Sequence, residues 1–300
     1  MLKIAYHDCY AHPLPEGHRF PMEKYTLLPQ QLLHEGTLEE DNFFEPHPAE
    51  DGILGLTHAE DYIEKLNKLQ LDRKEIRRTG FPLSKELIAR EKTIMQGTIM
   101  AAEYSLQHGI AMNIAGGTHH AYSNLGEGFC LLNDNAIAAN YLLHTNKARR
   151  ILIVDLDVHQ GNGTAEIFQD SEKVFTFSMH GKNNFPLRKE NSDLDIPLED
   201  GMGDEEYLDI LKYNLPKLIN QHKPDFIFYQ CGVDILASDK LGRLSLSIDG
   251  CKERDRFVLE SCHEKGIPIT CSMGGGYSEE IRVIIEAHAN TYRLAQDIFF

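Results

Sequence analysis

The chain has no C-x-x-C pair: its six cysteines, Cys9, Cys130, Cys231, Cys251, Cys262 and Cys271, are scattered through 300 residues. A chain of that length closes a core without disulfide staples, so the thiols are expected to be reduced and mostly buried, Cys130 among them as a packing residue. No apolar run approaches eighteen residues, which argues against a membrane-spanning helix, and the opening MLKIAYHDCY reads as a short strand without a secretory h-region. Linkers rich in Pro, Gly or Ser, internal repeats and low-complexity tracts are also missing, so one domain over 1–300 is expected. Basic residues are the minority, 30 against 46 acidic, for a formal net charge of -16. That balance argues against a surface for nucleic-acid phosphates and favours a cationic partner. The class left by these absences is a cytoplasmic enzyme or binding protein.

What is present is a regular alternation. Short apolar runs at 2–6, 110–114, 151–154, 174–178, 225–230 and 267–272 read as strands. Amphipathic stretches at 23–34, 59–69, 84–107, 133–144, 204–221, 247–265 and 278–295 read as helices. The pattern predicts a mostly parallel central sheet with helices on both faces, a three-layer α/β/α domain. The polar, turn-rich stretch 181–203 reads as a long functional loop.

Ligands of open parallel sheets sit at the carboxyl ends of the strands, so the unusual residues belong there. AGGTHHAY brings His119 and His120, DLDVHQGNG brings Asp155, Asp157 and His159, CGVD brings Asp234, and MGGGY brings Tyr277. Asp155, Asp157 and His159 stand at i, i+2 and i+4, on one side of an extended chain. Taken singly, a strand-end Asp is an ordinary cap and a glycine triplet an ordinary turn. Together they concentrate buried charge, which a divalent cation compensates. Asp157, His159 and Asp234 would supply one nitrogen and two carboxylates with a position left open, the pattern of catalytic zinc, with Fe(II) or Co(II) also admitted. Asp155 is then free to accept from a histidine behind the site.

GGTHHA, GFCLLND at 128–134, DLDVHQGNGT, QCGVD followed by DKLGRLSLS, and GGGY resemble, in order, the motif series of the zinc-dependent histone deacetylases of the arginase/deacetylase fold. The compact length and the HQGNGT variant look most like the class IV branch or its bacterial relatives. The resemblance implies Zn2+ on Asp157, His159 and Asp234. It implies His120 as general base and then acid, His119 paired with Asp155 in an electrostatic role, and Tyr277 as donor to the substrate carbonyl. Phe129 and Phe185, with Gly128 and Gly275, would wall an acyl-lysine tunnel. A structural K+ would lie at Asp155, Asp157, His159, Ser178 and Met179, and Lys24 would stand where many relatives carry an Arg in an acetate-release channel.

Two positions depart from the class I pattern. Asn162 replaces an aspartate behind His120, and a neutral amide stabilises imidazolium less, so Asn162→Asp is expected to raise the acidic pKa of the kcat/KM profile. Near Thr79 to Leu83, where an acidic clamp for the substrate backbone is expected, the sequence reads TGFPL. Gln160 reads as a loop residue, and the remaining histidines as surface or loop groups, His180 excepted. Three rivals stand beside the acyl-lysine deacylase. A binuclear manganese ureohydrolase needs two metal-binding clusters, and only one is present. An acetylpolyamine amidohydrolase usually carries an insertion not evident here, and a non-catalytic acyl-lysine reader would have lost one of the catalytic groups. The oligomeric state is not legible.

Overall fold

The computed structural model describes residues 1–300. Eight strands form one sheet: β1 (Lys3–Ala5), β2 (Phe43–Phe44), β3 (Ile110–Asn113), β4 (Ile151–Asp155), β5 (Val174–Gly181), β6 (Leu194–Leu198), β7 (Phe226–Gln230) and β8 (Ile269–Ser272). Their order is β2-β1-β3-β8-β7-β4-β5-β6. The expected mostly parallel sheet is parallel throughout, every neighbouring pair included. Each connection is a crossover, so no hairpin reverses a strand. β3, β4, β7 and β8 are buried at every position, which is why their sequences are continuous apolar runs instead of alternating ones.

Ten helices accompany the sheet: α1 (Lys24–His34), α2 (Asp51–Leu54), α3 (Glu60–Asn67), α4 (Arg73–Thr79), α5 (Lys85–His108), α6 (Asp134–His144), α7 (Asn162–Phe168), α8 (Asp204–His222), α9 (Ile248–Lys265) and α10 (Ile281–Phe299). α5, α6 and α7 cover one face, while α8, α9, α10 and α1 pack side by side over the other. Local chemistry sets their ends. Ser84 accepts from the Leu87 amide at the start of α5, and Gly109 closes it with a positive φ.

Two strands escape the sequence pattern. β2 has only two residues, and β6, which lies inside the expected loop 181–203, is a half-exposed edge strand whose apolar residues are interrupted by Asp195 and Pro197, the proline being tolerated at a sheet edge. The helix expected from 278 begins at Ile281, because the turn that carries Tyr277 runs through Glu280. Five of the six cysteines are buried and Cys9 is partly so. The expectation that the unassigned histidines are surface groups is wrong for His58 and His288, which are 2 % and 1 % exposed.

Candidate active site

The four strands whose ends carry the unusual residues, β3, β8, β7 and β4, are the adjacent centre of the sheet. Segments far apart in sequence therefore meet at one rim. The ligand atoms of Asp157, His159 and Asp234 lie within 4.8 Å of one another, all buried. Backbone amides aim the carboxylates: Gly275 donates to Asp157 Oδ2 at 2.9 Å, His159 to Asp157 Oδ1 at 3.0 Å, and Val158 to Asp234 Oδ1 at 2.9 Å. His159 Nδ1 stands 3.1 Å from Asp157 Oδ1 and 3.1 Å from Asp234 Oδ2. A Cβ on Gly275 would fall 2.0 Å from Asp234 Oδ2, so only glycine lets that backbone close behind the carboxylates. Gly275 thus belongs to the floor of the site more than to a tunnel wall.

The charge of this group asks for a cation. Burial raises the Asp234 carboxyl and the Asp157 charge adds to it, to about 7. Burial works against charging His159, but hydrogen bonds to Asp157 and Asp234 outweigh it and raise the imidazole to about 10. Two buried carboxylates and one imidazole nitrogen converge on one point, the donor set of an open-sided divalent metal site. The residues fit such an ion.

His119 and His120 stand beside it with different characters. His119 Nδ1 is 2.7 Å from Asp155 Oδ2. Burial opposes its charging, yet Asp155 and Asp157 raise it to about 9. His120 is pushed well below the ordinary imidazole value by burial, then by the charges of His119 and His159. Its Nδ1 lies 2.6 Å from Asn162 Oδ1, while Asn162 Nδ2 donates to Glu127 Oε2 and to Tyr122 Oη, both at 2.9 Å. A carboxylate only accepts, so the amide nitrogen must face Glu127 and the amide oxygen His120. His120 therefore carries its proton on Nδ1 and leaves Nε2 free to accept. Glu127 was not singled out from sequence, nor was Tyr122, although it closes the AGGTHHAY stretch.

Aromatic rings line the approach. Phe129 faces Phe20 at 5.2 Å, Phe81 at 5.4 Å and Tyr277 at 6.1 Å between centroids, and Phe185 meets His120 edge-on at 5.0 Å. Phe81, from TGFPL, packs here, in the stretch where an acidic clamp is expected. Gly128 and Phe129 both adopt positive φ, +55 and +67. At a phenylalanine that conformation costs about 1–2 kcal/mol and is held by the Phe129 amide donating to Thr79 at 2.7 Å. The partly buried Tyr277 has its backbone amide on Asp239 Oδ2 at 2.6 Å, and burial followed by the nearby Asp234 charge holds its phenol well above the ordinary value.

Below, Lys24 is fully buried with Nζ on the Gly274 carbonyl at 3.0 Å, and burial lowers it to about 8 despite the nearby carboxylates. Ser178 pairs in register with Asp155 and its hydroxyl meets His180 Nδ1 at 3.0 Å, with Met179 buried beside it. Gln160 bridges the Glu190 carbonyl and Asp195, consistent with a loop-holding part. Arg254 of α9, also without a sequence signal, donates to the carbonyls of Leu156 and Gly232 at 3.1 and 2.6 Å. One guanidinium thereby ties the loop after β4 to the loop after β7.

Comparison with known proteins agrees with this arrangement. The histone deacetylase domain model matches residues 18–292. An uncharacterized protein of Picosynechococcus is 45% identical over 99% of both chains. Histone deacetylase 2 of Arabidopsis thaliana is 29% identical over 92% of this chain and 74% of its own, and histone deacetylase 1 of rice is 32% identical over 88% of this chain and 54% of its own. Among solved structures, an HDAC homolog complexed with SAHA superposes with a TM-score of 0.86 at 25% identity, covering 99% of this chain and 84% of that one. An HDAC homolog from Aquifex aeolicus gives 0.84 at 25% identity, covering 98% and 84%. The single domain, its parallel sheet and the strand-end motifs are those of the arginase/deacetylase fold, and the chain belongs to the histone deacetylase family of amidohydrolases.

Proposed function

We propose that this protein hydrolyses the amide of an Nε-acyl-lysine on a protein or peptide. The observation that carries the reading is the meeting, at one buried point, of a metal-ligand set, a singly protonated His120 with Nε2 free, and the Tyr277 phenol, at the foot of an aromatic slot. A divalent ion on Asp157, His159 and Asp234, proposed as Zn2+ with Fe2+ as the alternative, would polarise the acyl carbonyl and acidify a water. The chain's own groups do the rest. His120 Nε2 takes the proton of the attacking water and returns it to the departing lysine amine. His119, charged beside Asp155, stabilises negative charge without exchanging its proton. The Tyr277 hydroxyl, kept protonated by burial, donates to the oxygen on which charge develops. Phe129 and Phe185 take the apolar stem of a neutral acylated lysine more readily than the free ammonium, so product leaves.

Asp155, Ser178 and Met179, with the backbone at Asp157 and His159, are proposed to hold K+. A class IV-like enzyme of the cytoplasm is the corresponding assignment. Turnover of matched peptides bearing acetyl-, octanoyl- and myristoyl-lysine tests the reading, each assayed with and without chelator and after zinc is restored. Hydrolysis lost on chelation, regained with zinc, and lowered roughly 100- to 1000-fold in kcat by Tyr277→Phe is the expected result. No turnover of any peptide by the zinc-loaded protein would turn the assignment towards small acylated amines or a non-catalytic reader.

A further inference from the structure

Outside Phe129 the slot opens into a mouth lined by three guanidinium groups, Arg19, Arg78 and Arg243, and one carboxylate, Glu127. On a chain whose formal charge is -16, that is a local reversal of sign. Arg243 shares its charge with Asp200 at 3.3 Å. Arg19 and Arg78 take part in no ion pair, and Glu127 is committed to Asn162. Both arginines without an ion pair stand on the same wall, Arg19 through its side chain and Arg78 through its backbone. The Arg19 guanidinium lies 5.0 Å over the Phe129 ring, a cation–π contact. The Arg78 carbonyl accepts from the Gly128 amide at 3.0 Å, one residue before the Thr79 bond to Phe129. Two exposed or half-exposed cations thus line the entrance without counter-ions, beside the TGFPL stretch, which carries no acidic residue.

We propose that this mouth selects acylated amines that carry a carboxylate next to the acyl-lysine stem. This rests on the deacylase reading and names its substrate class. The carboxylate comes either from Asp or Glu beside the acylated lysine or from the α-carboxylate of free Nε-acyl-lysine, and in both cases a guanidinium fork receives it in two hydrogen bonds. Acylated polyamines are disfavoured, because their remaining ammonium groups would face Arg19 and Arg78. The general expectation of a cationic partner, drawn from net charge, is reversed at the one place where substrate enters.

The test measures binding, so that it does not depend on turnover. Fluorescent acetyl-lysine peptides flanked by Glu, by neutral residues or by Lys are titrated by anisotropy onto the zinc-loaded Tyr277→Phe protein. Free Nε-acetyl-lysine and its uncharged amide compete in parallel, which separates the two sources of carboxylate. The expected order is Glu over neutral over Lys, with Glu favoured by roughly 3- to 30-fold at low salt and less as salt rises. Arg19→Gln and Arg78→Gln each shrink the Glu-to-neutral ratio, Arg19→Lys and Arg78→Lys keep the charge but lose the fork and so retain only part of it, and Arg188→Gln, exposed and outside the mouth, leaves it as it was. Equal affinities for the three peptides, or a ratio that survives Arg19→Gln/Arg78→Gln, would overturn the proposal. If the unaltered protein hydrolyses none of these peptides while the ratio stands, the deacylase reading falls alone. If it hydrolyses the neutral peptide and the ratio is one, only the carboxylate preference falls.

Discussion

Asn162 is held by three neighbours whose demands leave its amide one orientation, and this changes what a substitution there does. Taken from sequence, Asn162→Asp should raise the acidic limb of the kcat/KM profile by strengthening the imidazolium of His120. The Glu127 carboxylate, 2.9 Å from Asn162 Nδ2, makes the single change self-defeating: two carboxylates at that distance share a proton, so little charge is added behind His120. Asn162→Asp with Glu127→Gln is expected to raise the acidic pKa clearly, and Asn162→Asp alone to raise it less. Equal shifts in the two proteins would show that Glu127 does not govern this position. The identities of the strand-end residues were legible because carboxylates and imidazoles directly after apolar runs are chemically conspicuous. Glu127 was not, since nothing in GEGF reveals that its side chain turns inward to a residue 35 positions away.

Single residues also join elements, as His58 does between the turn before α3 and the start of α6. Its Nδ1 donates to the Tyr122 carbonyl at 2.9 Å and its Nε2 accepts from the Asn133 amide at 3.0 Å, while Asn133 caps α6 by accepting from Ala136. The Asn133 amide requires an unprotonated Nε2 and hence the neutral ring, and burial, only partly opposed by the bond to the Tyr122 carbonyl, lowers His58 to about 4. A group whose folded pKa is depressed below an unfolded value near 6.5 leaves the native state short of a proton. Its stability is whole above about pH 6.5 and is lost as pH falls towards 4, by roughly 3 kcal/mol. His58→Gln is expected to flatten the urea midpoint over that interval relative to the unaltered protein, and parallel curves would contradict the assignment. A lone histidine in GLTHAED carries no periodic signal, which is why it read as a surface group. The long helices and central strands were legible from period and apolar runs, whereas α2, α4 and α7 are too short to show a period. β6 shows no apolar run because Asp195 and Pro197, tolerated at an edge, interrupt it.

At the scale of the molecule, the proposed metal ligands belong to the loops after β4 and β7, and the Gly275 amide from the loop after β8 holds one of them. An ion bound there joins three strands, and its free energy adds to folding. Chelation is expected to lower the Tm and zinc to restore it. Zinc at 100 times its Kd is worth about 2.7 kcal/mol, a shift on the order of 5 °C. Asp157→Asn should abolish the zinc response, and a Tm indifferent to zinc in the unaltered protein would exclude binding at this place. The fold family was legible from the motif series, while the sign of charge at the mouth was not, because net charge says nothing about where its minority cations gather.

The all-parallel order of the sheet bears also on time. β4 lies between β7 and β5, and β8 between β3 and β7, so neighbours in space are separated by long stretches of chain and must be brought together over large loops. Asp157 and His159 meet Asp234 only once β4 and β7 have paired, and the Gly275 amide reaches Asp157 only once the loop after β8 is in place. An ion that recognises only the finished rim does not hasten folding; it slows the way out, lengthening the lifetime of the native state while leaving the rate of its formation to the chain.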